Sequence, residues 1–262
     1  DVIHDYILAV KEAGLKPVVV DADTFAIQNA FHLNYGCPPN EIVALVNVGE
    51  STGNINVVSN GITTFTRDIG IGAGSLVTTE IMKRLNVSWQ EAEHFKTSPI
   101  SGESAVFEEV QTAVELCSEA LVTEIQRTFD FFAATTINAE ISRIYLSGGA
   151  SQPSAFIRAL ENRLKLPVEI VNPFKNISID TREFDPDLIQ RLTPIASVAV
   201  GLARRFKNDG LSGDNEVRIN LCKHREVYKR PETGAVLSKT RRLFRLPITV
   251  SVPFTRRKLT LS

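Results

Sequence analysis

The sequence predicts an α/β fold in which mixed β-sheets are flanked by helices, and three stretches carry that prediction. Residues 41–74 contain three apolar or alternating runs divided by a Gly-rich turn and an Asn-Gly turn, the pattern of two consecutive β-hairpins. Residues 143–153 have the pattern of a strand, a glycine pair and a helix start. Residues 104–135 carry apolar side chains every three to four positions, as one long amphipathic helix does.

The chain opens with two helical segments around a short strand. An apolar stripe over residues 2–13 predicts a helix, residues 17–20 form a short buried run, and a second helix extends from the turn 21–24 to about Leu33. Asp23 lies at the start of this second helix. Unpaired N–H groups stabilise a carboxylate there, so capping is the ordinary role for this residue.

The first Gly-rich turn follows the apolar run 42–46 and comprises residues 47–53 (NVGESTG). Its glycines at 49 and 53 allow backbone N–H groups to approach an anion closely. An ordinary tight hairpin uses the same residue types. The turn by itself therefore leaves both interpretations open.

A second Gly-rich turn lies about a hundred residues later. Residues 143–147 form a strand-like run, Gly148 and Gly149 follow, and Ser151 and Pro153 indicate a helix start with a hydroxyl cap and a proline in the first turn. This arrangement lets a ligand lie against bare backbone. Two such turns facing each other would hold a nucleotide between them.

Helices are predicted between the two turns. The helix that follows Gly74 leads to a capping-box pattern at residues 88–91, which starts a further helix. Glu93 and Lys96 are three residues apart and share one face of that helix. They would form either an exposed ion pair of small energetic effect or a ligand contact in which the carboxylate accepts ribose hydroxyls.

Residues 156–208 continue the alternation of helices and strands. Residues 156–164 are predicted to be helical, residues 168–171 to form a strand, and helices to start at Asp185 and Thr193. The last helix carries small residues that predict close packing on a neighbour: Ala196, Ser197, Ala199, Gly201 and Ala203.

Composition argues against several classes of protein. No apolar run approaches 18 residues and no signal peptide opens the chain, so a cytoplasmic protein without direct membrane insertion is expected. The three cysteines and four histidines are scattered, which predicts neither a disulfide framework nor a metal cluster.

Charge is distributed unevenly along the chain. Residues 209–262 carry 12 Lys+Arg and 5 Asp+Glu, a net of +7, whereas residues 1–208 carry 17 and 25, a net of −8. The acidic body argues against nucleic acid as a partner, and the basic tail after a Gly-rich linker is predicted to be disordered.

Several motifs in order resemble the actin-like (ribonuclease H-like) ATPase superfamily. NVGESTGNINVV and LSGGAS, joined by a segment that carries AEHFK, are similar to its phosphate-2 and adenosine motifs. Within it, FTRDIGIGAG, VEIVNPFKNI and FDPDLIQRLTPIASVAVGLARR resemble the PilM family of type IV pilus assembly proteins, relatives of the cell-division protein FtsA. The resemblance covers residues 1–208 and stops before the tail.

The resemblance implies four segments. Residues 1–40 would be a remnant of the first actin-like subdomain and its insertion, and residues 41–185 the second half with the phosphate-2 and adenosine motifs. Residues 186–208 would form a helix that returns to the first half as a hinge, and residues 209–262 the tail. The first strands and the phosphate-1 loop would lie upstream, so the first subdomain is expected to be incomplete.

The resemblance also implies an ATP site with Mg²⁺ held mainly through phosphates and water. Asp23 would face the γ-phosphate and the metal water, and Asn47 stands where many members carry an aspartate, so metal affinity and hydrolysis should be weak. Glu93 and Lys96 would reach the ribose and adenine. The nucleotide-binding candidates are Asp23, Asn47, Gly49, Glu50, Ser51, Thr52, Gly72, Glu93, Lys96, Gly148, Gly149, Ala150 and Ser151. No catalytic or metal-ligating residue is assigned.

The tail contains a second resemblance. Residues 217–226 (VRINLCKHRE) are similar to the N-terminal cytoplasmic peptide of PilN, the inner-membrane partner of the PilM family. Ile219, Asn220 and Leu221 carry this resemblance, whereas Cys222 and Lys223 stand where that peptide has leucine and proline. We interpret the tail as a read-through or a fusion between neighbouring genes; binding of the peptide to its own groove in cis is the alternative.

The expected function is a cytoplasmic ATP-binding scaffold of the type IV pilus inner-membrane complex, peripheral to the membrane through a PilN-like partner whose peptide it binds in a nucleotide-dependent way. It would be at most a weak ATPase, and self-association stays open. The alternatives are an active ATPase or sugar kinase of the same fold, or an FtsA-like filament on a membrane. A kinase needs a substrate-side aspartate base, which no motif assigns. Pro247 and Pro253 disfavour a terminal membrane-binding helix.

Overall fold

The structure, a computed structural model, describes residues 2–15, 17, 19–70, 73–97, 104–137, 139–179, 184–208 and 248–251. Its helices are α1 (Val2–Glu12), α2 (Asp23–Tyr35), α3 (Ala73–Leu85), α4 (Trp89–Thr97), α5 (Ala105–Thr135), α6 (Ser154–Leu164), α7 (Pro186–Leu192) and α8 (Ser197–Asn208). Its strands are β1 (Val19–Ala22), β2 (Ile42–Val48), β3 (Gly53–Ser59), β4 (Ile62–Ile69), β5 (Ile141–Ser147), β6 (Val168–Ile170) and β7 (Ile248–Ser251).

Five strands form one mixed sheet in the order β4-β3-β2-β5-β6. Strands β2, β3 and β4 are antiparallel neighbours, which confirms the two predicted hairpins, and β5 runs parallel to both β2 and β6. The second hairpin turns at Asn60 and Gly61, whose φ angles of 50° and 78° suit an Asn-Gly turn.

Helices cover both faces of this sheet. On one face, Ala44, Val46 and Ile55 pack in a buried cluster with Leu121 and Phe132 of α5. On the opposite face, a second cluster combines strand residues with the inner side of α2, and its members are Ile27, Phe31, Val43, Leu45, Val58, Tyr145 and Val171. The alternation of β2 between two buried clusters explains its unbroken apolar run.

Helix α5 confirms the long amphipathic helix expected from the sequence. Ser104 is its N-cap, and the Ser104 hydroxyl accepts a hydrogen bond from the Phe107 N–H at 3.2 Å. Phe129 and Phe132 are buried, so the aromatic end of the helix is core packing, as predicted.

The capping box before α4 is also confirmed. The Ser88 N–H donates to the Glu91 carboxylate at 2.8 Å, and the Glu91 N–H donates back to the Ser88 hydroxyl at 3.4 Å. The Ser88 N–H and the Ser88 hydroxyl both donate to this carboxylate, and these two hydrogen bonds lower the pKa of Glu91. They set the direction in which α4 leaves α3 and thereby position Glu93 and Lys96.

Helix α8 lies directly on α2, and the close packing expected from its small residues occurs at Gly201. An ideal Cβ at Gly201 would overlap the Ala26 carbonyl oxygen and lie 3.0 Å from the Ala26 Cα. Arg204 donates to the Asn29 carbonyl at 3.2 Å. Helix α2 is therefore held between α8 and the sheet.

Strand β7 is the part of the tail that the structure describes, and the disorder expected for the rest of the tail lies outside the described residues. Ile248–Ser251 pairs antiparallel with β1, and Val250 lies opposite Val20. The β-branched residues of this stretch suit an extended strand, and β1 offers an edge to which it can bond. Ile219, Asn220 and Leu221 lie outside the described residues.

The burial of His32 indicates that the fold loses stability at acidic pH. It is 8% exposed in α2, and burial, followed by the charge of Arg204, lowers its pKa from 6.5 to about 4. Between these two pH values the unfolded chain binds a proton that the folded chain excludes. We therefore expect the free energy of unfolding to fall, on the order of 2 kcal/mol, as the pH drops from 6.5 to 4.

Urea unfolding across this pH range checks the expectation. His32→Gln, which removes the titration, should flatten the profile, whereas the exposed His94, replaced in the same way, provides the matched control. An unchanged slope in His32→Gln would contradict the assignment.

Candidate functional site

The two Gly-rich turns meet at one edge of the sheet. Strands β2 and β5 are parallel neighbours, with Asn47 opposite Ser147, and each runs directly into its turn. The carboxyl ends of parallel strands are a common position for ligand sites in α/β folds. A cleft of about 490 Å³ opens beside these turns.

The first turn is held between the sheet and α3. The Gly49 N–H donates to the Thr52 carbonyl at 3.0 Å, and Gly74 and Ser75 at the start of α3 donate to the Gly49 and Glu50 carbonyls at 3.3 and 2.9 Å. Gly74 cannot carry a side chain here, because an ideal Cβ would overlap the Glu50 carboxylate and lie 2.9 Å from the Glu50 Cα. Docking against α3 goes beyond what a simple hairpin turn requires.

The second turn lies against the first. Gly148 has φ of 94° and ψ of 155°, a conformation open almost only to glycine, and its N–H donates to the Pro194 carbonyl at 2.8 Å. An ideal Cβ at Gly148 would overlap the Val48 carbonyl oxygen and lie 2.8 Å from the Asn47 Oδ1. The missing side chain is what allows the two turns to touch.

Ser151 differs from its predicted role as a helix cap. Gly149–Ser151 forms a 3₁₀ turn, and α6 begins only at Ser154, with Pro153 at its N-cap. The Ser151 hydroxyl donates to the Gly148 carbonyl at 2.7 Å, and the residue is fully buried. Ser151 therefore stabilises the turn from inside.

Glu93 and Lys96 form an ion pair that is not exposed. Lys96 Nζ lies 2.6 Å from Glu93 Oε1, and the lysine side chain is 17% accessible. Lys96 also donates to the Thr78 hydroxyl at 2.7 Å, the Gly74 carbonyl at 3.2 Å and Glu50 Oε2 at 3.3 Å. Burial alone would raise the pKa of Glu93, but hydrogen bonds from Lys96 and Thr78 outweigh it and lower that pKa.

An apolar wall closes the other side of the cleft. It comes from the inner stripes of α3, α5 and α6, and its members are Val77, Val114, Cys117, Leu121 and Phe156. Burial raises the pKa of the Cys117 thiol to about 11, so this cysteine stays neutral and contributes apolar surface. The cleft thus offers an apolar wall beside a charged network.

A polar row crosses the sheet on the face opposite the apolar wall. Asn47, Asn54 and Asp68 lie opposite one another on β2, β3 and β4. The Ser147 hydroxyl extends the row, donating to Asn47 Oδ1 at 3.2 Å. The buried atoms Asn54 Nδ2 and Asp68 Oδ1 have no hydrogen-bond partner among the described residues. An unsatisfied donor and acceptor side by side indicate a polar ligand or water there.

Asp23 faces this row. Helix α2 begins at Asp23, and its N-cap Ala22 makes no side-chain capping bond. Burial, and then the charge of Asp23, raises the pKa of Asp68, so the two carboxylates are close enough to interact. The buried Thr24 hydroxyl likewise finds no hydrogen-bond partner in the described part of the chain.

Most of the predicted residues gather at this edge of the sheet. Glu50, Lys96, Gly149 and Ala150 line the cleft, whereas Ser51 and Thr52 are exposed at the tip of the first turn. Gly72 lies outside the described residues.

Sequence reasoning missed Thr24, Asn54, Asp68 and Thr78. Asn54 alternates with Ile55, which places an amide on one face of β3. This alternation was the available signal for the polar row.

The described residues contain neither a metal-binding cluster nor a membrane-spanning helix. They contain no group of three or more histidine, cysteine, aspartate or glutamate side chains placed to hold a metal ion. None of their helices combines the length and the apolar character needed to cross a membrane.

Comparison with solved structures relates the fold to known proteins. The PilM-PilN type IV pilus biogenesis complex superposes with a TM-score of 0.68 at 23% identity, covering 78% of this chain and 57% of that one. The ethanolamine utilization protein EutJ from Carboxydothermus hydrogenoformans superposes with a TM-score of 0.51 at 18% identity, covering 73% and 56%. The chain thus spans little more than half the length of either structure.

The family model of type IV pilus assembly protein PilM matches residues 1–207. The match ends where the basic tail begins, as the resemblance of the motifs predicted. The expected α/β fold, a mixed sheet flanked by helices, is confirmed and is shared with these two structures. The chain belongs to the PilM family of type IV pilus assembly proteins.

Proposed function

We propose that this chain is a cytoplasmic, actin-like ATP-binding scaffold of a type IV pilus inner-membrane assembly complex. One observation carries the proposal: two Gly-rich turns touch at the edge of a sheet, between an apolar cleft and a row of buried polar groups. An adenine nucleotide has matching parts in the same order, namely a flat ring, a sugar and a chain of phosphates.

The cleft suits the nucleoside. Its volume of about 490 Å³ lies within the range of small-molecule sites. Leu121 and Phe156 would face the ring, and the Glu93 carboxylate, which pairs with the cleft-lining Lys96, would accept ribose hydroxyls. Backbone N–H groups of the turns at Gly49 and Gly148 would receive the phosphates.

The polar row suits a hydrated cation at the phosphate end. Mg²⁺ keeps several waters and is held mainly through phosphates and one or two carboxylates. Asp23 and Asp68 would bind its waters, and the unsatisfied amide of Asn54 supplies a donor beside them. When bound, Mg²⁺ would neutralise the charge of the phosphates.

Hydrolysis should be slow at this site. The neutral amide of Asn47 cannot supply the charge of an aspartate at that position. Its oxygen already accepts from Ser147 and lies against Gly148. We assign no general base, which favours a nucleotide-binding scaffold over an active ATPase or sugar kinase.

Partner binding extends the proposal. The structural relative is a complex of PilM with PilN, so we propose that this chain binds the cytoplasmic N-terminal peptide of a PilN-like inner-membrane protein. This contact would keep the chain peripheral to the membrane. Nucleotide binding would select one arrangement of the elements around the cleft and thereby control the partner site.

Calorimetric titration of ATP with Mg²⁺ tests the nucleotide site. We expect saturable binding to the native chain and at least tenfold weaker binding to Glu93→Gln, because a hydrogen bond to a charged acceptor contributes about 1.5–3 kcal/mol. Glu140→Gln removes the same charge at the opposite end of β5 and is the matched control. If adenosine, ADP and ATP all fail to bind the native chain, the nucleotide function is wrong.

A further inference from the structure

Glu50 places a negative charge inside the cleft. Its carboxylate extends from the first Gly-rich turn toward Lys96, and Oε2 lies 3.3 Å from Nζ. Among the described residues that line the cleft, these two alone are charged. The side chain of Glu50 is half exposed, so a ligand entering the cleft meets it directly.

Lys96 has little positive charge to offer an anion. Its ammonium already contacts Glu93, Thr78 and the Gly74 carbonyl, at 2.6, 2.7 and 3.2 Å. An ammonium has three donors, so the longer contact with Glu50 is the fourth. Two carboxylates share one cation, and the cluster of Glu50, Glu93 and Lys96 carries a net charge of −1.

The direction of the Glu50 side chain is built into the fold. The Glu50 carbonyl accepts a hydrogen bond from the Ser75 N–H at 2.9 Å, which holds its backbone against α3. The carboxylate then occupies the space that a side chain at position 74 would take, since an ideal Cβ at Gly74 would overlap Oε2. Gly74 therefore makes room for Glu50 to reach Lys96.

We propose that Glu50 determines ligand specificity by acting as an internal counter-anion. This inference rests on the proposed nucleotide function. In the structure, Glu50 bridges the turn to Lys96 on α4. When a polyphosphate enters, the Glu50 carboxylate repels it. The contact between Glu50 and Lys96 then breaks before the contact between Glu93 and Lys96, because it is longer and more exposed. Binding of a nucleotide then depends on a cation that neutralises the phosphates.

The repulsion should grow with the charge of the ligand. The charge of Glu50 should not change the affinity for adenosine, which is neutral. It should weaken the binding of ADP, and weaken that of ATP more. A unit charge held several ångströms away near a protein surface changes affinity by about tenfold. Mg²⁺ cancels part of the ligand charge and should reduce this factor.

Glu50→Gln keeps the shape of the side chain and removes its charge. Titrations with adenosine, ADP and ATP, each with and without Mg²⁺, separate charge from shape. We expect adenosine affinity to stay within about twofold, whereas ATP without Mg²⁺ binds about tenfold more tightly than to the native chain. Mg²⁺ should increase the ATP affinity of the native chain more than that of Glu50→Gln. The control Glu140→Gln should show the same affinities as the native chain.

Two patterns would overturn the inference while leaving the nucleotide function intact. One is an equal change in the affinities for adenosine and for ATP, which would indicate that the substitution changed the shape of the cleft. The other is unchanged or weaker binding of ATP by Glu50→Gln, which would make Glu50 a neutral or favourable contact. Glu50→Ala repeats the test with a second side chain. Failure of all three ligands to bind the native chain would overturn both the inference and the proposed function.

Discussion

Replacing Gly148 with alanine is expected to lower the free energy of unfolding by about 4 kcal/mol and to abolish nucleotide binding. The φ and ψ of 94° and 155° cost a residue with a side chain about 1–3 kcal/mol. The added methyl would also overlap the Val48 carbonyl oxygen and lie 2.6 Å from its carbon, and such overpacking costs a further 1–3 kcal/mol or so. The clash is with backbone, so no side-chain rotation relieves it.

The functional loss follows from the same contact. Gly148 is where the two Gly-rich turns touch, and the Asn47 Oδ1 lies beside the same contact. Separating the turns would widen the proposed phosphate site. Urea unfolding and ATP titration of the variant measure the two effects.

Gly149→Ala is the matched control for this prediction. The nearest atom to an ideal Cβ at Gly149 is Ile195 Cγ2 at 3.4 Å, an ordinary van der Waals contact. We expect a change in stability within about 1 kcal/mol. If Gly148→Ala were as stable as Gly149→Ala, the backbone of the turn would be able to shift and relieve the clash, and the prediction would be wrong.

Local sequence signals predicted the elements of this fold well. Asn60-Gly61 indicated a hairpin, residues 88–91 a capping box and residues 104–135 a single long helix, and all three are present. Each depends on contacts between residues a few positions apart. Backbone geometry and side-chain type decide such contacts locally.

The parts that the sequence did not reveal depend on contacts between distant segments. The polar row exists because strand register places Asn54 between Asn47 and Asp68. Thr78 joins Lys96 because α3 and α4 pack together. Strand β7 pairs with β1 although more than 200 residues separate them along the chain. No periodicity within one segment predicts these pairings.

In the candidate site, too, the features that depend on local sequence could be predicted and the others could not. Both Gly-rich turns and the pairing of Glu93 with Lys96 could be predicted, since glycine and charge spacing are visible in the chain. The structural role of the Ser151 hydroxyl inside the turn could not be predicted, because the helix begins two residues later than a cap at Ser151 would place it.

Gly201→Ala should separate α8 from α2 and lower the free energy of unfolding by about 3 kcal/mol. Alanine has the higher helix propensity, and an isolated helix would gain up to about 1 kcal/mol from the change. In the folded chain, however, the new Cβ would overlap the Ala26 carbonyl oxygen, so the packing cost should exceed this gain. A shift of α8 would also expose Leu202, which is 7% accessible.

Two further measurements make this last prediction specific to the helix contact. Gly70→Ala adds the same methyl where no atom of the described, non-adjacent residues lies within 4 Å, and it should leave stability nearly unchanged. Arg204 should lose its bond to the Asn29 carbonyl, and amide hydrogen exchange in α2 should then increase. A stability gain in Gly201→Ala would mean that helix propensity outweighs packing, and α8 would then be only loosely attached. A loss with faster exchange confined to α2 and α8 would identify this glycine contact as what fixes α2, and with it Asp23, against the sheet.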